Sequence, residues 1–324
     1  MQPVIHVENL CKNFKIRKSY KGVLRSLWGI FDSKYEEVEA LAHLSFTIHR
    51  GEKVAFIGPN GAGKSTAIKI LTGILHPTSG QVSVLGLTPW QRRRQLGYRI
   101  GIVFGQRTQL WYHLPPIDTF DLLAKIYEIP KAAYEERLEQ LVDIFELASI
   151  LYKPVKQLSL GERMRCELVA SLLHNPEVLF LDEPTIGLDI NAKVQIRSLL
   201  NRLAGERGTT LFLTSHDTAD IEQICERVLV MDHGTLILDN ELQELKKNYI
   251  CKKRITLFTD GRPFALSLPG VEPIEKTVYR YVCDVDLKQT SVEAVIQHAI
   301  GVTCIQDVTI EDPSMEEIIR GVYG

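Results

Sequence analysis

The stretch "GPNGAGKST", Gly58 to Thr66, sets glycines, a lysine and two hydroxyls in an order that suits a polyphosphate. It fits the G-x-x-x-x-G-K-[ST] spacing, between "EKVAFI", an apolar strand-like run, and "STAIKILTGIL", which has helical periodicity. A loop that wraps several negative charges must aim backbone N–H groups inward. Glycine permits this because it has no Cβ and tolerates positive φ, so the backbone through Gly58, Asn60, Gly61, Ala62 and Gly63 can close on the anion. The helix that follows adds unpaired donors at Lys64, Ser65 and Thr66, and the positive end of its dipole. Lys64 brings a mobile charge to the β- and γ-phosphates, and the Ser65 hydroxyl is a ligand for Mg2+. A chance glycine-rich turn would need neither the strand before it nor the helix after it.

"VLFLDEP" supplies a matching half. Its apolar run reads as a buried strand that delivers Asp182 and Glu183 to a C-terminal sheet edge. Asp182 is suited to hold Mg2+ through water, and Glu183 to orient and deprotonate an attacking water. Taken alone, the pair could be N-cap carboxylates at a strand-to-helix junction, and the upstream phosphate loop is what favours the chemical reading. His216, in "TTLFLTSHD", ends a similar buried strand, so its side chain is expected at the same edge beside Glu183. A lone histidine is more often a satisfied polar residue; this placement argues otherwise. "LSLGERMR" opens a helix at Ser159, which can cap that helix or leave its donors to an anion.

These residues need a scaffold. The strand-like runs "EVLFLDEP", "TTLFLTSH" and "RVLVMDHG" alternate with helical "NAKVQIRSLLNRLAGE", which predicts a mostly parallel α/β sheet covered on both faces. Helical patterns between Asp118 and Ala148, broken at "EIPK", and again in "ERMRCELVASLLH", mark a helical subdomain at about residues 107–172. Past "NELQELKKNY" the texture changes to short alternating runs, "KRITLFTD", "FALSL", "VYRYVCDVD" and "CIQDVTIED", with helices "SVEAVIQHAI" and "SMEEIIRGVY". The expected organisation is an α/β domain over residues 1–248 and a small α+β domain over 249–324.

An insert at about residues 15–34 interrupts the N-terminal strands. It sets Leu24, Leu27, Trp28 and Phe31 at helical spacing beside Lys18, Lys21 and Arg25. Such a helix could lie on a membrane surface or a membrane partner, or pack on its own domain; its shortness, with Gly22 and Gly29, favours packing.

With 324 residues, 45% hydrophobic and 24% charged, the chain can bury a large core and still build a second unit. Its net charge of −2 argues against a nucleic-acid partner, which calls for a basic face. No apolar run reaches the roughly 18 residues that span a bilayer, and the first residues lack a signal-peptide core. Six scattered cysteines without paired ligand spacing read as reduced core thiols.

In order and approximate spacing, these motifs resemble the nucleotide-binding subunit of ATP-binding-cassette (ABC) transporters, over roughly residues 1–245. "GPNGAGKST" and "LFLDEP" match the family's two Walker motifs, and "LSLGE" stands at its LSGGQ signature. "IGLD" matches the loop after Walker B, with Asp189 as its aspartate, and "LTSHD" puts the switch histidine at His216. The resemblance implies a P-loop nucleotide hydrolase fold with a helical signature subdomain, binding ATP and Mg2+. It also implies head-to-tail homodimers, or pseudo-symmetric heterodimers, with ATP sandwiched between the Walker motifs of one chain and Ser159, Leu160, Gly161 and Glu162 of the other. Leu160 and Glu162 depart from the family's glycine and glutamine, and the Glu162 carboxylate is expected to point away from phosphate.

Carried over residue by residue, Lys64, Glu183, His216 and Gln106 are the expected catalytic residues, and Ser65, Gln106 and Asp182 the metal ligands. In "VFGQRTQLWYHL" Gln106 is preferred to Gln109, although Gly105 stands as an extra residue. Tyr35 has the spacing of the family's adenine-stacking aromatic; Phe14, in "LCKNF", suits it if residues 15–34 are an insertion, and either ring could be core packing.

By the same resemblance, ATP closes the dimer and hydrolysis reopens it, driving separate integral membrane permease subunits from the cytoplasmic face. "IEDPSMEEII" and the small C-terminal domain resemble the ATPase subunits of two-component exporters for drugs, lipids, polysaccharides or antibiotics, so export is expected over import. The competing readings are a soluble ATP-switched protein acting on ribosomes or DNA, and an inactive regulatory subunit. A single cassette without coiled coils or zinc insertions argues against the first, and intact Lys64, Asp182, Glu183 and His216 against the second.

Overall fold

Antiparallel pairing of β1 (Pro3–Arg17) with β2 (Tyr35–His49) opens the chain in the computed structural model. Residues 3–17, 35–105, 107–249, 252–261, 264–313 and 315–323 are described. Lys15, Ile16 and Arg17 pair with Glu37, Glu36 and Tyr35, so β1 continues through the start of the expected insert. The helical reading at Leu24, Leu27, Trp28 and Phe31 lies outside the described residues. β4 (Ser79–Val84) completes a three-stranded sheet in the order β2-β1-β4.

The second sheet places the chemistry. It contains β3 (Lys53–Ile57), β5 (Ile100–Phe104), β6 (Val178–Asp182), β7 (Thr210–Thr214), β8 (Arg227–Asp232) and β9 (Thr235–Glu241), in the order β5-β6-β7-β3-β8-β9. From β5 to β8 the pairing is parallel. Parallel strands are covered on both faces, which is why β6 and β7 read as unbroken apolar runs rather than alternating ones. The C-terminal ends of β5, β6, β7 and β3 therefore come out side by side, where open α/β sheets bind ligands. β9 follows β8 across His233 and Gly234, both at positive φ (42° and 80°), the geometry of a tight hairpin.

Helices α1 (Lys64–Leu71), α2 (Arg93–Gly97), α3 (Pro116–Ile126), α4 (Lys131–Ile144), α5 (Leu160–Leu172), α6 (Ile190–Arg207) and α7 (Thr218–Ile224) complete the first of two compact units, Met1–Asp239. Proline punctuates the helical subdomain: Pro116 takes the first position of α3, and Pro130 immediately precedes α4.

The second unit, Asn240–Gly324, has α8 (Leu242–Tyr249), β10 (Lys252–Thr259), β11 (Val271–Lys276), β12 (Arg280–Asp286), α9 (Val292–Val302), β13 (Ile305–Glu311) and α10 (Met315–Tyr323). Its antiparallel sheet runs β11-β12-β10-β13 over a core that includes Ile255, Leu257, Tyr281, Cys283, Val285 and Val295. "FALSL" is not a strand here. Phe264, Leu266 and Leu268 pack on that core without pairing, and the edge position falls to "VEPIEK", where Pro273 is tolerated because an edge strand can spare a donor. Cys11, Cys166, Cys225 and Cys283 are free and buried, and Cys304 is free and exposed. Burial pushes the Cys166 thiol up to about 12 and the Cys283 thiol up to about 11, which leaves both protonated and inert.

Aromatic packing joins the two sheets of the first unit. Phe212 on β7 has its ring centroid 5.0 Å from that of Phe56 on β3, 5.6 Å from Phe180 on β6, and 6.2 Å from Phe46 on β2. Phe212→Ala removes the shared ring, and chemical denaturation should show a loss of about 3–5 kcal/mol.

Candidate nucleotide site

The phosphate loop leaves β3 and turns into α1 at Gly63, whose φ is 101°. A Cβ there would stand 2.4 Å from the Ala40 carbonyl oxygen, so both the dihedral and the space require glycine. Lys64 Nζ donates to the carbonyls of Gly58 (2.6 Å) and Pro59 (3.1 Å), bent back over its own loop. Burial pushes the Lys64 ammonium below its ordinary range, and the carboxylates of Glu183 and Asp182 oppose that shift.

Thr214 organises the carboxylates. Parallel register sets it opposite Asp182, and its hydroxyl donates to Asp182 Oδ1 (2.7 Å). Glu183 N–H donates both to that hydroxyl and to the Thr214 carbonyl, each at 3.1 Å. These bonds hold Glu183 at φ 56°, a left-handed conformation that a non-glycine residue keeps only when its surroundings determine it. The Ser65 hydroxyl lies 3.4 Å from Asp182 Oδ2.

His216 faces Glu183 directly. Its backbone N–H donates to Oε2 (3.3 Å), and its Nε2 lies 3.3 Å from Oε1. Burial holds the Glu183 carboxyl above the usual range; His216 and Lys64 pull the other way, and the Asp182 charge adds to the rise. The His216 loop is tied down from behind by fully buried Asp220, which accepts from Ser215 Oγ (2.7 Å), Arg197 Nε (2.6 Å) and the Thr185 hydroxyl.

Asn60, Gly61, Ala62, Gly63, Lys64, Ser65, Thr66, Asp182, Glu183 and His216 line one cavity of about 570 Å³. Ala40, Gly105 and Arg107 line it too, and reading the sequence did not single them out for this site. Gly105, an apparent extra residue, donates to the Asp182 carbonyl (2.8 Å), and a Cβ there would stand 2.0 Å from the Glu183 carbonyl oxygen. The signal for it was a glycine directly after a buried strand, where a backbone passes close by. Gln106 and the Tyr35 side chain lie outside the described residues. Gln109 is held by Glu167 on α5 and does not line the cavity. Phe14 is exposed on β1, with the Lys12 ammonium 5.1 Å from its ring centroid.

None of the residues of "LSLGE" lines this cavity; Leu160 lines a neighbouring one with Phe104, Gly105 and Arg107, which border both. Ser159 caps α5 in a reciprocal pair: Glu162 N–H donates to Ser159 Oγ (3.2 Å), and Ser159 N–H donates to Glu162 Oε2 (2.8 Å). The bond from the Ser159 N–H keeps the Glu162 carboxyl below its ordinary range. At Gly161 a Cβ would meet Ala192 Cβ at 2.8 Å, and Leu160 Cδ2 lies near Gly187, so the start of α5 packs on the start of α6. Asp189 caps α6, accepting from Ala192 N–H (2.9 Å).

A parallel sheet with a phosphate loop, adjacent carboxylates and a facing histidine at one edge defines a P-loop nucleotide hydrolase. The ABC transporter family profile matches residues 41–186. The chain is 34% identical over 215 residues to the daunorubicin resistance ATP-binding protein DrrA3 of Streptomyces coeruleorubidus, covering 66% of this chain and 67% of that protein. It is 33% identical over 213 residues to the bacitracin transport ATP-binding protein BcrA of Bacillus licheniformis, covering 66% and 68%. Among solved structures, a dimeric post-hydrolysis state of the ATP-binding cassette MJ0796 bound to ADP and phosphate superposes with a TM-score of 0.61 at 25% identity, covering 74% of this chain and 98% of that one.

The chain belongs to the ABC transporter family, as an ATP-binding and ATP-hydrolysing subunit that powers transport. No helix among the described residues is long and apolar enough to cross a membrane.

A general base works only when ionised, so if Glu183 serves as one, its raised pKa ends activity at a higher pH than an ordinary carboxylate would. The acid limb of the pH profile of ATPase kcat should therefore lie above the usual carboxylate range, and Glu183→Gln should abolish the activity that carries that limb.

Proposed function

We propose that the chain is the ATPase of a two-component exporter, working as a head-to-tail dimer on separate permease subunits at the cytoplasmic face of the membrane. The observation that carries this reading is the division of the site: Lys64, Ser65, Asp182, Glu183 and His216 share one cavity, and Ser159 of the same chain does not line it. A second chain is needed to bring a capped helix start to the nucleotide. Resistance and transport in the names of DrrA3 and BcrA support export of antibiotic-like molecules. The cassette occupies the first compact unit, and the second is an accessory domain.

In this reading the N–H groups of the phosphate loop bind the phosphates, and Lys64 exchanges its loop carbonyls for phosphate oxygens. Glu183 accepts the proton of the attacking water, and His216 holds that water and the γ-phosphate against it. Among the described residues no cluster of three or more His, Cys, Asp or Glu could hold a metal by itself. The Ser65 hydroxyl and Asp182 carboxylate nevertheless fit Mg2+, a hard ion that keeps water and phosphate oxygens in its shell, with Gln106 as the further expected ligand. When bound there, Mg2+ would neutralise charge on the phosphates.

Strand register favours Phe14 over Tyr35 as the adenine platform. Phe14 pairs with Val38, two residues from Ala40 at the cavity wall, whereas Tyr35 starts β2 about 16 Å away along the strand. Phe14→Ala should weaken ATP binding about tenfold and Tyr35→Ala by less than about twofold, measured by nucleotide titration.

Glu183→Gln should trap an ATP-bound dimer on size exclusion with turnover reduced about a hundredfold or more. Wild-type turnover in that variant would remove Glu183 from the role of base.

A further inference from the structure

Lys12 takes no part in the mechanism above, yet its ammonium has two definite neighbours. Nζ donates to the His76 carbonyl (2.8 Å) and stands over the Phe14 ring, 5.1 Å from its centroid. Among the described residues no carboxylate pairs with that ammonium, so its charge is left to the carbonyl and the ring.

The stretch of β1 that carries this pair is fastened to the chain leaving the phosphate helix. After α1 the backbone doubles back, with the N–H groups of Ile74 and Leu75 both donating to the Lys69 carbonyl (2.8 Å each), and so reaches His76. There Asn13 N–H donates to the Thr78 hydroxyl (2.9 Å) and Thr78 N–H to the Cys11 carbonyl (2.9 Å), beside the bond from Lys12. On its other side β1 pairs with β2, whose Ala40 carbonyl oxygen stands 2.4 Å from where a Cβ on Gly63 would be. The backbone at Phe14 is therefore tied to the phosphate loop from both sides. Its ring is exposed, and an exposed side chain hops between rotamers unless something grips it. Lys12 grips one face and leaves the other for a ligand.

We infer that Lys12 is a positioning residue for nucleotide binding: anchored on the His76 carbonyl, its ammonium holds the Phe14 ring so that the free face receives the base. The inference rests on the reading of Phe14 as the adenine platform. Two effects follow from the one contact. A ring ordered in advance has less freedom to lose when the base arrives. The cation also draws π density toward its own face, which lessens the repulsion between the ring and a base stacked on the other. Both effects act on the base and not on the phosphates.

The test measures, by calorimetry on the full chain with Mg2+, the binding of a non-hydrolysable ATP analogue and of inorganic tripolyphosphate, which has no base. Lys12→Gln keeps a donor for the His76 carbonyl and removes the charge. It should weaken the analogue about three- to fivefold and leave tripolyphosphate within about 1.5-fold of wild type. Lys12→Arg, which keeps a cation for the ring, should bind the analogue within about twofold of wild type. Phe14→Leu leaves an apolar side chain without a π face, and in that background Lys12→Gln should cost nothing further. Lys12→Met, an uncharged chain of similar reach, takes the place of Lys12→Gln should that variant not fold. Equal weakening of both ligands in Lys12→Gln would make Lys12 a phosphate contact or a structural clamp, and overturns its role at the base. Unchanged analogue binding in Lys12→Gln, with Phe14→Leu weakened, overturns the role of Lys12 alone. Unchanged analogue binding in Phe14→Leu overturns the platform and the role of Lys12 with it.

Discussion

Parallel pairing of β6 with β7 is the constraint on which the site depends. It sets Asp182 opposite Thr214, and one hydroxyl then serves Asp182 as a donor and the Glu183 N–H as an acceptor. Two carboxylates at neighbouring positions would repel and splay if left to themselves. Here one is oriented toward Ser65 and the other, through a left-handed backbone, toward His216. Their environments differ: one carboxylate lies beside a hydroxyl, and burial raises the proton affinity of the other.

The aromatic contact between the two sheets supports this register from behind. Phe180 and Phe212 belong to the strands that end in Asp182 and Thr214, and their rings pack with Phe56 and Phe46. Packing at crystal-like density leaves those strands little freedom to slide, so the atoms at their ends inherit the precision of the core. Asp220 does the same for the His216 loop by polar means, gathering Ser215, Thr185 and Arg197 on one buried carboxylate.

At Ser159 the helix cap is complete within the single chain. The capping box with Glu162 satisfies donors at the start of α5 and fixes the Ser159 side chain against that start. Glutamate or glutamine at position 162 can complete that box. The Glu162 carboxylate is folded onto the Ser159 N–H, where the positive end of the helix dipole also favours a negative charge.

Much of the site was legible in the residues, because local chemistry repeats locally. The phosphate loop, Asp182–Glu183, His216 and the cap at Ser159 each sit in a short stretch whose residue types narrow the physical uses to one or two. The parallel sheet was legible from unbroken apolar runs, and the small α+β unit from alternation, although alternation also made "FALSL" look like a strand when its apolar residues merely pack. What the sequence could not yield were contacts between distant segments. Glycine at 105 looked superfluous until Glu183 was placed against it; Thr214 was an ordinary strand end until register set it beside Asp182; Glu167 was one more helical glutamate until Thr108–Leu110 closed on it. Residue types determine what chemistry is available, and that is written along the chain. Which groups meet is decided by packing across tens to hundreds of residues, and only the tertiary structure brings those distances down to a hydrogen bond.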